Sequence, residues 1–300
     1  MSKVSVILPA RDDHQFLVKT IDSLFANALG EIEVIVMLDG YWPSLSLGKH
    51  KNLIIVHKGS VQGMKPNINE AARIATGKYL MKLDAHCLVG DGFDEILKAD
   101  LEHSWLSVPS MYSLDPEKWE RKGSAKDYLL LTYPYVEDNI YGKGFHGRKW
   151  HGENGLNGDF FHKEKERKDI LIDDIMTIQG SCWFIHKDKF FDIECFDVEN
   201  FDTFFQEAQE LCFKIWLSGG RVVRNKNTWY AHLHKGKEHA TPFQLSKRVK
   251  YEVEDKIVDY WMNNKWHKQT RDFSWLIYKF WPLDGWPEDW GKIHDRTKRS

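Results

Sequence analysis

Thiols are scarce in this chain: its 300 residues hold four cysteines, Cys87, Cys182, Cys195 and Cys212, and no two of them form a C-x-x-C pair. That excludes a disulfide framework and the paired-cysteine zinc and redox motifs. Three of the four lie in apolar runs, where a thiol behaves as a small buried hydrophobe, and a reducing compartment is the simplest inference. No window reaches the ~18 apolar residues that a membrane span requires. The opening MSKVSVILPARDD also lacks the basic, apolar, small-residue layout of a secretory leader. The expectation is a cytoplasmic location. Glycine-rich phosphate loops are missing as well, since PARDDHQF after the first apolar run has neither G-x-G-x-x-G nor G-x-x-x-x-G-K-[ST]. This argues against the standard dinucleotide and P-loop sites. A nucleotide, if one binds, has to be held by carboxylates and a metal.

Strong net charge is absent too, at −2, but the balance is uneven along the chain. Residues 221–300 hold 17 Lys and Arg against 10 Asp and Glu, net +7, which leaves 25 against 34, net −9, for residues 1–220. An acidic body with a basic C-terminal region suits an anionic partner, nucleic acid or a phosphorylated donor, or else is a solvated basic face. At 42 % hydrophobic and 29 % charged residues, the composition is that of a soluble globular chain.

The first hundred residues alternate two periodicities. KVSVILPA is a short β-branched run stopped by Pro9, and HQFLVKTIDSLFANA then places Phe16, Leu17, Ile21, Leu24 and Phe25 at helical spacing. EIEVIVMLDG and KNLIIVHKGS repeat the strand pattern, PNINEAARIATG is a short helix between Pro66 and Gly77, and KYLMKLDAHC is a fourth strand. Near-continuous apolar strands joined by helices predict a mostly parallel sheet buried on both faces, a three-layer α/β/α sandwich. Ligands bind beyond the carboxyl ends of such strands, where Asp12, Asp39 and Asp84 fall. Residues 137–169 lose all periodicity and are expected to form a flexible lid on the acceptor side. IMTIQGSCWFIHKDKFF reads as a strand with Gly180-Ser181 inside it, the stretch after Asn200 as a helix ending at Gly219-Gly220, and RVVRNKNTWYAHLHKG as another strand. Residues 246–300 are expected to form a separate, basic, helical extension after a catalytic domain over 1–245. The extension carries Trp261, Trp266, Trp275, Trp281, Trp286 and Trp290, rings that either stack on bases and sugars or pack the segment onto the body.

Three constellations carry chemistry. Asp84 and His86 stand two residues apart after the fourth strand, and i, i+2 side chains on an extended segment point the same way, so both can reach one cation. A carboxylate with an imidazole suits a borderline ion such as Mn²⁺. His232 and His234 repeat that spacing after the last strand, and either can complete the set while leaving open coordination positions. Glu207 and Glu210 share a helical flank, and Phe204-Phe205 before Glu207 are expected to raise its pKa toward the range of a general base.

In order, KVSVILPARDD, EIEVIVMLDG, ARIATGKYLMKLDAHCLVGDGF, IQGSCWFIHKDKFF, FQEAQELCFKIWLSGGRV and YAHLHKG resemble a family 2-like glycosyltransferase of the A-type, nucleotide-diphospho-sugar transferase fold. In its D-x-H variant the chain is most similar to the polypeptide N-acetylgalactosaminyltransferases, over roughly residues 3–245. The resemblance implies a UDP-sugar donor with Mn²⁺ or Mg²⁺. It implies Asp84, His86 and His232 as metal ligands with His234 as the fallback, and Asp12 and Asp39 on the nucleoside. It further implies Gly180 and Ser181 beneath the sugar and Glu207 at the W-G-G-E position on the acceptor side. Phe204-Phe205-Gln206 replace that motif's tryptophan and glycines, and Pro9-Ala10-Arg11-Asp12 departs from the usual polar start. The D-x-H likeness points to retention of configuration and the family 2 likeness to inversion. A glycan, a protein side chain or a hydroxymethylated DNA base are the acceptor classes carried forward, beside a non-catalytic sugar-nucleotide-binding module.

Overall fold

The computed structural model describes residues 2–11, 14–43, 46–135, 144–149, 166–234, 247–283 and 285–290. Strands β1 (Val4–Ala10), β2 (Ile32–Asp39) and β3 (Leu53–Lys58) lie parallel, and β4 (Tyr79–Leu83) runs parallel to β1 on its other side. The connection from β1 to β2 is α1 (His14–Asn27), and that from β3 to β4 is α2 (Met64–Ile74). Leu17, Ile21 and Leu24 of α1 are fully buried, the i, i+4, i+7 stripe that the sequence announces.

The chain continues through β5 (Cys87–Val89), α3 (Phe93–Asp100), β6 (Trp105–Asp115), β7 (Glu120–Lys122), β8 (Leu129–Leu131), β9 (Gly147–Lys149) and β10 (Ile172–Asp174). It then forms β11 (Cys182–His186), α4 (Lys187–Asp192), α5 (Val198–Phe201), α6 (Glu207–Leu217), β12 (Arg221–His232), α7 (Lys247–Met262) and α8 (Phe273–Lys279). The main sheet has the order β10-β12-β6-β11-β4-β1-β2-β3, with β5 added on β12 and β7 on β6, and β8 and β9 form a separate ribbon. Its longest ladders are parallel. Antiparallel β11 sits between β4 and β6 and joins the N-terminal half of the sheet to the parallel pair β6-β12.

Two expectations change, and one element goes unannounced. The third apolar run, β3, is the sheet edge and exposes Ile54 and Ile55, so it is not buried on both faces. IMTIQGSCWFIHKDKFF is a strand only from Cys182 to His186; after Lys187 N–H bonds to Lys78 O the chain turns into α4. Strand β6, central in the sheet, is the element that periodicity does not announce. It contains Pro109, which lacks the ladder N–H and argues against a central strand. The partner strand adapts: the register on β12 jumps from Asn225, opposite Pro109, to Trp229, opposite Ser110. Buried Arg224 donates its Nη1 to the Pro109 carbonyl.

The C-terminal helices share the main core. Trp261, Trp266, Trp286 and Trp290 are buried in the cluster that contains the sheet, Trp275 packs against it, and Trp281 is 37 % exposed. Trp286 Nε1 donates to Leu131 O at 2.8 Å. Packing onto the body is therefore what the four buried rings do. No helix among the described residues is long and apolar enough to cross a membrane. Most of the expected lid, residues 137–143 and 150–165, lies outside the described residues.

Candidate active site

Strand β4 ends at Leu83, and the chain does not stay extended: Ala85 and His86 form a turn before β5. Asp84 and His86 are thus brought together by a turn rather than by the strand alternation expected of them. Strand β5 then pairs antiparallel with the end of β12, placing Cys87 opposite His232, and Leu233 N–H bonds to His86 O at 3.1 Å. This pairing carries His232 to the turn. His86 Nε2 lies 3.0 Å from His232 Nε2, and Asp84 Oδ2 lies 3.2 Å from His232 Nε2 and 3.8 Å from His86 Nε2. Two atoms that each lie about 2.1 Å from one cation can stand at most ~4.2 Å apart, and ~3.0–3.4 Å at right-angled to tetrahedral geometry. Two of the three separations fall in that window and the third, 3.8 Å, is a wider angle at the same ion, so the three donors can reach a single divalent ion. His232 is buried, its Nδ1 has no hydrogen-bond partner among the described residues, and burial lowers its pKa against the opposing pull of Asp84. Such an imidazole is neutral at pH 7 and has a lone pair to offer. His234, left open as the alternative, is exposed, stands outside the three-donor cluster and sits 3.4 Å from Lys126 Nζ.

Lys82 is the functional candidate that sequence reasoning missed. It is 1 % exposed in the middle of β4, its ammonium pairs with Asp84 Oδ1, and it donates to Gly180 O at 2.7 Å. Its signal was present: a lysine inside an all-buried strand requires an anion, and Asp84 two residues on faces the same way. Burial by itself would raise the Asp84 carboxyl; the Lys82 charge, the His232 hydrogen bond and the His86 charge outweigh it and hold the group far below the usual carboxylate range.

Gly180 precedes β11 at φ +94°, and a Cβ there would stand 2.9 Å from Glu207 Oε1. Only glycine leaves the first residue of α6 room to bring its carboxylate against this turn. Ser181 gives its carbonyl to Asp84 N–H at 2.8 Å, and its hydroxyl bonds Tyr230 OH at 2.8 Å. The Glu207 pKa is raised by burial of its carboxyl and by Asp84, against Lys82 and Lys65. Of the two rings expected to supply that shift, Phe204 is exposed and Phe205 packs partly buried against the core. Glu210 is a structural group, buried between Lys65 at 2.9 Å and Lys214 at 2.8 Å and accepting Asp197 N–H. Asp39 is buried at the end of β2, and its two oxygens accept the N–H groups of Gln62 and Gly63 at the start of α2. Asp12 lies outside the described residues.

The sheet order and a site beyond the carboxyl ends of β1, β2 and β4 are what a sugar-nucleotide fold requires, and the sequence profile of glycosyl transferase family 2 matches residues 5–193. The chain belongs to glycosyl transferase family 2. Among curated proteins it is 27 % identical over 198 residues to polypeptide N-acetylgalactosaminyltransferase 3 of Taeniopygia guttata, covering 64 % of this chain and 29 % of that protein. The Homo sapiens protein of the same name is 25 % identical over 233 residues, 75 % of this chain and 33 % of its own. The chain thus matches a third or less of the length of these relatives. Among solved structures, GalNAc-T7 with UDP, GalNAc and Mn²⁺ superposes with a TM-score of 0.66 at 14 % identity, over 93 % of this chain and 56 % of that one. S. aureus TarS 1-349 in complex with UDP-GlcNAc gives 0.56 at 14 % identity, over 91 % and 69 %. The family 2 chain described here therefore has the A-type glycosyltransferase fold.

Proposed function

We propose that this family 2 chain transfers a sugar from a nucleotide-diphospho-sugar, a UDP-sugar, to an acceptor hydroxyl with the help of a divalent ion, Mn²⁺ or else Mg²⁺. The observation that carries the reading is the convergence of Asp84, His86 and His232 from a turn and a strand end 146 residues apart. The UDP and Mn²⁺ of the GalNAc-T7 structure and the UDP-GlcNAc of TarS support the donor class. Asp84, His86 and His232 would hold the cation, whose charge stabilises a departing diphosphate.

The chain's own groups divide the remaining work. Lys82 holds Asp84 ionised and ties it to the Gly180 carbonyl, so the metal-facing carboxylate and the turn beneath the sugar keep one relative position. Gly180 and Ser181 leave that turn free of bulk. Glu207, with its raised pKa, takes up the acceptor proton or orients the acceptor hydroxyl. Asp39, the last residue of β2, bounds the nucleoside side; Asp12, outside the described residues, is assigned there by its sequence position alone. The segment after residue 246 braces the catalytic body through its buried tryptophans, and its exposed Trp281 is left on the surface where an acceptor could meet it.

A panel of sugar nucleotides, assayed for UDP release with Mn²⁺ and with chelator, tests the reading. Metal-dependent release from one donor is expected, and Asp84→Ala and His232→Ala should fall to the level seen with chelator. Full turnover in either variant refutes the metal assignment. Binding of the donor with no UDP release under any condition would instead identify a sugar-nucleotide-binding module.

A further inference from the structure

We infer a second metal site, for Zn²⁺, built by His103, His186 and Asp188 at the end of the sheet remote from the candidate active site. The donors come from three elements: His186 closes β11, Asp188 lies in the first turn of α4, and His103 lies in the turn before β6. His186 pairs with Tyr79, the first residue of β4, whereas Asp84 follows the last residue of that strand. Five residues at about 3.3 Å each separate the clusters by ~16 Å along the strand, too far to share an ion.

One nitrogen from each imidazole and one carboxylate oxygen lie within 4.8 Å of one another. His103 Nε2 stands 3.0 Å from Asp188 Oδ2, and the two imidazole centroids are 5.0 Å apart. An exposed ion pair accounts for His103 and Asp188 by themselves. It does not account for His186, which is 6 % exposed and whose Nδ1 has no hydrogen-bond partner among the described residues. A buried polar atom without a partner is costly.

Two imidazoles and a carboxylate, with solvent in the fourth position, form a donor set that Zn²⁺ accepts in tetrahedral geometry. The candidate active site offers the same donor types, but a diphosphate adds hard oxygens there and shifts the preference toward Mn²⁺. At His103, His186 and Asp188 solvent completes the shell, and the imidazoles set the preference for Zn²⁺. A bound ion would tie the turn before β6 to the corner between β11 and α4.

The test is equilibrium dialysis of the whole chain against Zn²⁺ with metal analysis. It starts from the double variant His86→Gln, His232→Gln, which removes two of the three donors of the candidate active site, keeps the buried Lys82–Asp84 pair, and is checked for native fold by circular dichroism. One Zn²⁺ per chain is expected, and adding His103→Gln should weaken its binding at least about tenfold, with parallel loss of the visible absorption of a Co²⁺-loaded sample. His103 is exposed, so the fold survives its replacement, and His186→Gln, checked by circular dichroism, gives a second reading. The inference is overturned if the double variant binds no Zn²⁺, or if His103→Gln leaves the bound Zn²⁺ unchanged. Neither outcome bears on sugar transfer, because no step of the measurement uses activity.

Discussion

Replacing Lys82 by methionine removes one ammonium from a strand interior and keeps nearly the same volume. Lys82 is 1 % exposed and holds two partners, Asp84 Oδ1 and Gly180 O. Removing one member of a buried ion pair costs about 3–5 kcal/mol. Asp84 is 18 % exposed and retains His232 at 3.2 Å, so the lower end of that range applies, about 3 kcal/mol. The Gly180 carbonyl loses its donor, which adds about 1 kcal/mol, and the methionine chain fills the space without a cavity term. The total is about 4 kcal/mol, or roughly 8 °C in Tm for a chain of this size. A metal ion then acts in the opposite direction. With Lys82 gone, Asp84 has lost its competing cation, so Mn²⁺ supplies the missing charge and binds more tightly. Differential scanning fluorimetry, with chelator and with saturating Mn²⁺, should show a low Tm for Lys82→Met and a Mn²⁺-induced rise larger than in the parent. A variant within 1 °C of the parent in chelator, or one whose Mn²⁺ response is smaller, refutes the reasoning.

Two further outcomes follow from single contacts. Glu207→Gln removes a carboxylate whose pKa the fold raises, so the parent loses stability relative to the variant as pH climbs from the ordinary glutamate value of 4.5 through the elevated folded one. The Tm difference between Glu207→Gln and the parent should widen in the variant's favour between pH 4.5 and pH 8, while UDP release falls by about 10²–10⁴; a difference independent of pH contradicts the environment assigned to Glu207. Trp286→Ala empties a site packed against Tyr133 and Trp290 and removes the donor to Leu131 O. A loss of about 3–5 kcal/mol is expected in denaturant unfolding, and a loss below ~1 kcal/mol would mean that the C-terminal segment is not part of the main core.

Much of the fold was legible because its signals are local. The β1-α1-β2 unit carries unbroken apolar runs around a helix with Leu17, Ile21 and Leu24 on one stripe, and each pattern maps onto backbone geometry without long-range information. Strand β6 was not legible: Pro109 contradicts a central strand, and only the register jump on β12, more than a hundred residues later, makes room for it. The D-x-H pair and His232 come together in the structure and His234 does not, and they meet in a way that strand alternation does not imply. Asp84 and His86 meet through a turn, and His232 arrives through pairing of β12 with β5. Lys82 was overlooked because an apolar window absorbs one lysine, although its counter-ion stood two positions away.

The amino-acid sequence alone determined the class of fold, the order of its elements and the chemical type of each donor, since hydrophobic periodicity and side-chain chemistry are properties of neighbouring residues. Tertiary structure alone decided which histidine joins Asp84, that Glu210 is buried between two lysines while Glu207 lies against the Gly180 turn, and that His103, His186 and Asp188 form a cluster. Those outcomes depend on distances of a few ångströms between segments far apart in the chain, and burial and Coulomb interactions act on that spatial separation, whatever the spacing in sequence.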